Sequence, residues 1–396
     1  MSGVLKGIRV LDFGRYIAGP FCGALLGDMG AEVIRLEKLD GSEDRWVAPV
    51  DEARKGEGIT FLQMNRSKLG MTLNPTKPEG REIVAKLVKA SDVVIANLPF
   101  QTLKEMGLDY DTLSAINPRI ILVTNSTFGM VGPYADRVGF DTIGQVMSGA
   151  AHLTGFGDKP VRMASPYVDF MSATLSVVGV LAALRERDTS GKGQMIETAL
   201  LKSALNVANP LLIEQAMLNL NRERVGNRAF TAGPGDSYRC KDGWIYVLAI
   251  GQPLFVRWCK MMKREELIDD PRFKDDLARG DNGEAISAIM QEWCGSRTRD
   301  DVLKQLAAAR VPAGPIYTPQ EALDDPHVKE AGFFKQIEYP GLGKPYPILD
   351  QPVRLSRTPL EITRRPPTLG EHTDEILAGL GYSKDQIADL RKQRVV

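Results

Sequence analysis

The sequence predicts a doubly wound, Rossmann-like α/β domain joined to a smaller α+β domain. Three observations carry that reading. Short apolar strands alternate with helical patterns over the first half of the chain, as parallel sheets with crossover helices require. A polar, basic stretch, Asn221–Arg228, breaks the alternation, and a hairpin pattern with an Asp-Gly turn follows it. The 396 residues exceed what one ordinary core holds, so two domains are expected.

Ile8–Phe13 reads as a strand and Gly14–Pro20 as a turn. Pro20 opens a helix running to about Met29, and Gly30 ends it. Glu32–Leu36 is the next strand, which implies a parallel pair with a right-handed crossover. Pro78–Ala90 is a helix with Ile83, Val84, Leu87 and Val88 on one side, Asp92–Ala96 a strand, and Leu103–Met106 and Tyr110–Ile116 short helices. Ile120–Thr124 is a strand and Phe140–Ala150 a helix. Asp169–Arg187 has an acid in its first turn, basic residues in its last, and glycine beyond. Apolar on every face, this helix is expected inside a core. Its longest apolar run, around Val177–Leu184, reads as too short for a bilayer. Met195–Thr198 is a last strand before a helix from Leu200 to about Leu220.

In the second domain, Ser237–Cys240 and Trp244–Ala249 flank Lys241-Asp242-Gly243 as a hairpin, and helices are expected at Pro253–Met262, Glu284–Cys294 and Arg299–Ala308. Past Pro315 the chain turns Pro-rich and irregular, a pattern expected to wrap another body. Glu371–Leu380 and Lys384–Arg394 read as closing helices.

Fifty basic and fifty acidic residues cancel, so no global field attracts nucleic acid or an anionic membrane. The four cysteines are far apart without C-x-x-C, which favours reduced thiols and a cytoplasmic protein, and the three histidines are equally scattered. No metal site and no permanently bound cofactor are expected. The first residues show no signal-peptide pattern. The turn G-R-Y-I-A-G-P lacks the dinucleotide fingerprint, and neither a P-loop nor a G-x-S-x-G elbow occurs. Gly23 and Gly27 therefore read as packing glycines.

In a doubly wound sheet the ligand crevice lies beyond the carboxyl ends of the strands. Arg15, Lys38, Asn97 and Arg137 each follow a predicted strand, and Arg66 and Lys68 stand in the loop N-R-S-K-L-G. Together such groups suit a phosphorylated ligand; singly, each suits solvated surface. Asp169, alone before an apolar helix, is either an N-cap or a reagent, and on its own it reads as a cap.

Several segments, in order, resemble the class III CoA-transferases of the CaiB/BaiF type. They are L-K-G-I-R-V-L-D-F with A-G-P, G-A-E-V-I-R-L-E-K, Asn65–Gly70, Ser91–Asn97, Asn117–Ile121, Gly191–Gln194 and Leu369–Leu377. The resemblance implies a large domain of residues 1–220 completed by a return segment, 326–396, around a small domain, 229–325. It also implies an interlocked homodimer, or a heteromer with a related subunit. Acyl-CoA and a carboxylic acid are then the substrates.

By the same resemblance Asp169 is the nucleophile, and the helix start is expected to favour its ionised form by ~0.3–1 kcal/mol. Gly251 and the Ile17-Ala18 backbone are oxyanion donors, and Gly251-Gln252 belong to a mobile loop over the site. Ile17, Ala18, Lys38, Asn65, Lys68, Asn97 and Arg137 match CoA-binding positions. The racemase branch carries a His in G-H-D, where this chain has Gly139-Phe140-Asp141. Racemisation needs a proton-moving group on each face of the α-carbon, which Phe140 does not supply. A racemase or isomerase, a non-catalytic CoA-binding subunit and a nucleotide-binding regulator stand as the alternatives.

Overall fold

The computed structural model describes residues 3–48 and 57–396. In chain order it gives β1 (Arg9–Asp12), α1 (Ala18–Asp28), β2 (Glu32–Glu37), α2 (Ile59–Met64), β3 (Lys68–Thr72), α3 (Pro78–Lys89), β4 (Val93–Ala96), α4 (Phe100–Glu105), α5 (Tyr110–Ile116), β5 (Ile121–Ser126) and α6 (Asp141–Met147). Then come α7 (Ala150–Leu153), β6 (Gly155–Phe156), β7 (Lys159–Pro160), α8 (Tyr167–Ser190), β8 (Met195–Ala199) and α9 (Leu200–Leu218). The hairpin β9 (Gly235–Cys240) and β10 (Gly243–Leu248) precedes α10 (Gln252–Met262), α11 (Asp276–Asp281), α12 (Gly283–Gly295), α13 (Arg299–Ala308) and β11 (Ala313–Pro315). The chain ends with α14 (Pro319–Asp324), α15 (Pro326–Glu330), β12 (Phe334–Ile337), β13 (Tyr346–Leu349), α16 (Thr373–Gly379) and α17 (Lys384–Lys392).

Two compact units emerge. The first comprises the chain up to Ser148, Met163–Leu212 and Gly332–Val396; the second comprises Gly149–Arg162 and Ile213–Ala331. The first is built on a parallel sheet in the order β3-β2-β1-β4-β5-β8, six strands among the described residues. Alternation along each strand feeds two cores. Val10, Val33, Ile95 and Val123 face Cys22 and Leu26 of α1 and Ala173, Val177 and Val180 of α8. Leu11, Ile34, Val94 and Leu122 face Ile83, Val84 and Leu87 of α3, Leu113 of α5, and Ile376, Leu377, Ile387 and Leu390 of the closing helices.

The order reverses between β1 and β4, the crevice position of a doubly wound sheet. Because α1 and α8 each lead into the next parallel strand, both helices begin at the carboxyl edge.

β3 is absent from the sequence expectations, since N-R-S-K-L-G reads as a polar loop. Its Lys68 is nonetheless fully buried, its three ammonium hydrogens meeting Asp12 Oδ2 (2.6 Å), the Pro20 carbonyl (2.7 Å) and Asn65 Oδ1 (3.0 Å). Burial lowers the Lys68 pKa to about 8 against the pull of Asp12. Asp12, which burial alone would raise, is held below its ordinary value by Lys68 and Arg35. Gly23 lets α1 sit on this pair: a Cβ there would lie 3.1 Å from Asp12 Oδ2 and 3.3 Å from the Lys68 side chain. Gly27 is tighter still, 2.7 Å from the Ser67 carbonyl.

Two expectations for α8 need correction. It spans 24 residues and is long and apolar enough, by length and composition, to cross a membrane. Nor is it buried all round: Ala173, Ser176, Val177, Val180 and Leu184 pack inward, while Leu175, Val178 and Leu181 are exposed. The inward face, packed on α1 and the sheet, is what places it as a core helix. The Pro-rich return segment also carries a hairpin, β12–β13, where irregular chain was expected.

The second unit holds a three-stranded antiparallel sheet, β11-β10-β9, around Tyr238, Ile245, Val247, Phe255, Trp258, Phe273 and Met290. All four cysteines are free and buried.

The Lys68 cluster makes a stability prediction. Replacing Lys68 by Met leaves the Asp12 carboxylate buried without its principal partner, and breaking such a pair costs about 3–5 kcal/mol. Urea unfolding of Lys68→Met is expected to show that loss, with an unchanged m-value.

Candidate functional site

The turn before α1 is fixed from several sides. Asp12 Oδ1 accepts the Gly14 N–H (2.8 Å), Asn97 Oδ1 accepts that of Arg15 (2.6 Å), and Asp44 Oδ2 accepts that of Tyr16 (3.1 Å). Asn97 also donates to the Arg15 carbonyl (2.7 Å), tying the ends of β1 and β4 together at the switch point. Asp44 is itself held by the buried Arg35 at 2.9 and 3.0 Å. Tyr16 adopts φ 61°, the left-handed region that a non-glycine residue enters only when its surroundings force it. After this turn the backbone N–H groups of Ile17 and Ala18 have no acceptor among the described residues, and α1 has no side-chain cap. Ala18 is buried against Val168, Leu200 and Ala204, with Tyr167 alongside. The start of α1 and the start of α8 therefore meet.

Asp169 sits one residue beyond Val168. Its position invites the N-cap reading, but another residue does the capping. Asp141 Oδ2, from the first turn of α6, accepts the N–H of Val168 (2.7 Å) and of Asp169 (3.1 Å). Gln145, one turn on, donates to Asp141 Oδ1 and to the Ser165 carbonyl (3.3 Å), and its Oε1 accepts the Met163 N–H (2.9 Å). Asp141 and Gln145 are both buried. The Asp169 carboxyl, half-buried, makes no hydrogen bond among the described residues. Burial and the neighbouring Asp141 carboxylate push its pKa up to about 7. The helix-start N–H groups expected to serve Asp169 are taken by Asp141 instead. A half-buried, unpaired carboxyl that titrates near neutrality suits a nucleophile or proton carrier better than a structural cap.

Beside it, Phe140 is 63% exposed and packs edge-on against Tyr16, ring centroids 5.5 Å apart. These two aromatic rings form a surface wall next to the α8 start.

Lys38, Arg15 and Asn97 follow β2, β1 and β4, so the sheet does bring those loop groups to one edge. The exposed Lys38 pairs with Glu43 at the surface, a contact weak enough to exchange for a ligand. Arg137 is exposed beyond β5 and stacks over Tyr134 at 4.0 Å. Arg15 gives its guanidinium to the carbonyls of Phe13 (2.9 Å), Gly14 (2.8 Å) and Leu36 (3.3 Å).

Asn65 and Lys68 do not reach the surface: both are fully buried and bonded to each other. Arg66 is buried against Asp28 at 2.9 Å. The structure corrects these positions from ligand contacts to framework.

In the second unit, the Gly251 N–H is directed at both oxygens of Asp276 (3.0 and 2.9 Å), so this donor is already engaged. Gln252 accepts from the buried Arg279, which also bonds Asp276 (2.6 Å) and the Phe273 carbonyl (2.9 Å). The Gly251-Gln252 segment, expected as a mobile loop, is clasped at the start of α10. Asp141, Gln145, Asp276 and Arg279 escaped sequence reasoning as functional residues. Only Asp141 and Gln145 carried a signal, a D-x-x-x-Q spacing that stacks both side chains on one face of a short helix.

No group of three or more metal-ligating side chains occurs among the described residues. Residues 5–373 match the family model for CoA-transferase family III. The chain is 36% identical to a succinyl-CoA–D-citramalate CoA-transferase of Chloroflexus aurantiacus, over 99% of this chain and 98% of that protein. It is 35% identical to the beta subunit of a succinyl-CoA–L-malate CoA-transferase of the same organism, over 99% and 98%. Its structure superposes on that of a CAIB/BAIF family protein from Brucella suis with a TM-score of 0.83 and 34% identity, covering 96% of this chain and 100% of that one.

The raised pKa of Asp169 is also a stability statement. A carboxyl whose folded-state pKa is raised costs nothing below its unfolded value, near 3.8, and its full cost appears above about 7. Asp169→Asn is therefore expected to raise stability by about 1–2 kcal/mol at pH 8, discounted for partial solvent access. The gain should vanish near pH 4. Thermal unfolding of both proteins across that range checks it.

Proposed function

The chain belongs to CoA-transferase family III and is a CoA-transferase of that class, and we propose that it moves CoA from an acyl-CoA to a carboxylic acid by covalent catalysis at Asp169. One observation carries the assignment of the nucleophile. The Asp169 carboxyl is half-buried at the carboxyl edge of the sheet and unpaired, because Asp141 has taken over the capping of α8.

The Asp169 carboxylate attacks the donor thioester carbonyl, forming an acyl–aspartyl anhydride and expelling CoA thiolate. The thiolate attacks the aspartyl carbonyl, giving an aspartyl–CoA thioester and releasing the donor acid. The acceptor carboxylate attacks that thioester, which forms the second anhydride and frees the thiolate again. Thiolate then attacks the acceptor acyl carbonyl, and Asp169 leaves as carboxylate. Thioester and anhydride are both activated acyl groups, so no step falls into the sink that an ester on Ser would be. The free N–H groups of Ile17 and Ala18 are the proposed oxyanion donors, each worth ~2.7–4 kcal/mol if aimed correctly. Gly251 is replaced in that role, its N–H being engaged by Asp276. Lys38, Arg137 and the Asn97 corner are the proposed contacts for CoA.

Both relatives described above are named for succinyl-CoA, and succinyl-CoA with a short carboxylic acid acceptor is the substrate pair we propose. The exposed apolar side chains Leu175, Val178 and Leu181 on α8 support a dimer in which a second copy covers that face. Four buried free thiols support a reducing, cytoplasmic setting.

Hydroxylamine added with succinyl-CoA is expected to convert Asp169 to a hydroxamate, read by peptide mass spectrometry, and to leave it unchanged without the thioester. Asp169→Ala should lose CoA transfer; retained transfer refutes the nucleophile. Solvent deuterium should not enter the α-carbon of a donor in the absence of acceptor, and exchange there would favour the isomerase alternative. Sedimentation is expected to show a dimer, and Val178→Glu to weaken it.

A further inference from the structure

We propose that Asp141, held by Gln145, is the positioning residue of Asp169: its carboxylate takes the two amide hydrogens at the start of α8, and the Asp169 carboxyl is left without a hydrogen bond. This deepens the reading of Asp169 as nucleophile and rests on it.

The geometry is specific. A residue at the start of a helix ordinarily turns its own oxygen onto the N–H groups just ahead, and Pro166, the residue before α8, has no side chain able to do so. The acceptor arrives from α6, 28 and 27 residues earlier in the chain than the two donors. Both Asp141 oxygens are used, one by α8 and one by Gln145. Gln145 in turn grips the approach to α8 at Met163 and Ser165. The direction of the first α8 turn, and with it the place of Asp169, is therefore set by α6.

The second effect is charge. Asp141 is the acidic group that acts on Asp169 through space. From the other elements packed on the α8 start, α1 offers no charged side chain until Asp28 at its far end, which Arg66 pairs. Glu197 of β8 accepts the Met130 N–H, and Lys202 of α9 is exposed. Tyr167 is hydrogen-bonded to Ser148. A carboxylate kept near Asp169 makes it more basic, hence a stronger nucleophile towards a thioester once ionised.

Asp141→Asn isolates the charge, because Asn Oδ1 can still accept the two amide hydrogens, and Asp141→Ala adds the loss of positioning. With succinyl-CoA as donor, the acid limb of kcat/KM, expected near pH 7 in the wild-type protein, should move down by at least about one pH unit. The plateau above it should fall about tenfold. Asp141→Ala, which also removes the acceptor, should fall a further tenfold or more with little change in KM. An unshifted limb and an unchanged plateau in Asp141→Asn overturn the proposal. Where circular dichroism shows that variant unfolded, Gln145→Met serves instead: a kcat loss of about tenfold at unchanged KM is expected, and wild-type kcat overturns it. Asp169→Ala, run in parallel, separates the two readings. An inactive Asp169→Ala beside an unaffected Asp141→Asn removes only the role of Asp141, whereas an active Asp169→Ala removes the nucleophile itself.

Discussion

The ammonium of Lys68 is the contact on which the large unit turns. It joins the end of β1 through Asp12, the first turn of α1 through the Pro20 carbonyl, and the entry to β3 through Asn65. Each of its three hydrogens has an acceptor, so a charge that would be prohibitively costly alone is tolerated with no exposure at all. Its consequence is positional. With Pro20 held, α1 begins at a fixed height over the sheet, and Asp44, Asn97 and Asp12 can pin the preceding turn residue by residue. The uncapped amides of Ile17 and Ala18 follow from that arrangement, since the side chains that could cap them are spent on Gly14, Arg15 and Tyr16.

A helix start can satisfy one carboxylate well and a second one poorly. At α8 the first place belongs to Asp141, buried and doubly bonded, and the second to Asp169. The two acids thus separate in character: one caps the helix and the other is left near neutrality by burial and by its neighbour's charge. Folding bears the cost of ionising that second acid above neutrality. Capping from α6 rather than from the helix's own sequence makes the tension possible, because a local cap at position 169 would have tied the carboxyl down.

How much of this was legible in the sequence depended on periodicity. Apart from β3 and the short α2, α7, β6 and β7, the alternation of strands and helices through α9 is legible because those elements are apolar at a strand or helix period. The ends lie two or three residues further out where caps decide, as at Tyr167–Ser190 against the expected Asp169–Arg187. β3 escapes a sequence reading because it buries Lys68, and a polar residue reads as exposed. Burial of a charge depends on acceptors contributed by Asp12 and Pro20, roughly fifty residues away in sequence, and no local pattern encodes them. The same blindness sent Asn65 and Arg66 to the surface. At the site, Asp169 stood out as an isolated acid, but its freedom from hydrogen bonding could be known only once Asp141 was seen to claim the amides. The exposed side of α8 was equally hidden, since an all-apolar helix reads as core whichever chain supplies the covering surface.

The segment Gly139–Asp141 bears on which chemistry the scaffold can support. Acyl transfer between carboxylates needs one nucleophile and a way to steady an oxyanion; no proton leaves carbon at any step. Exchange at an α-carbon needs a base on one face and an acid on the other. Phe140 lies between the turn that carries Tyr16 and the acid that caps α8, and its ring is used edge-on against Tyr16. No side chain able to move a proton stands at that place, yet its immediate neighbour Asp141 is retained for a different task. A residue that shapes the wall, followed by one that holds the helix start, leaves the Asp169 carboxyl at this corner without a hydrogen bond among the described residues. The covalent carboxylate route proposed above asks for no proton-moving group at position 140, whereas a two-base route does.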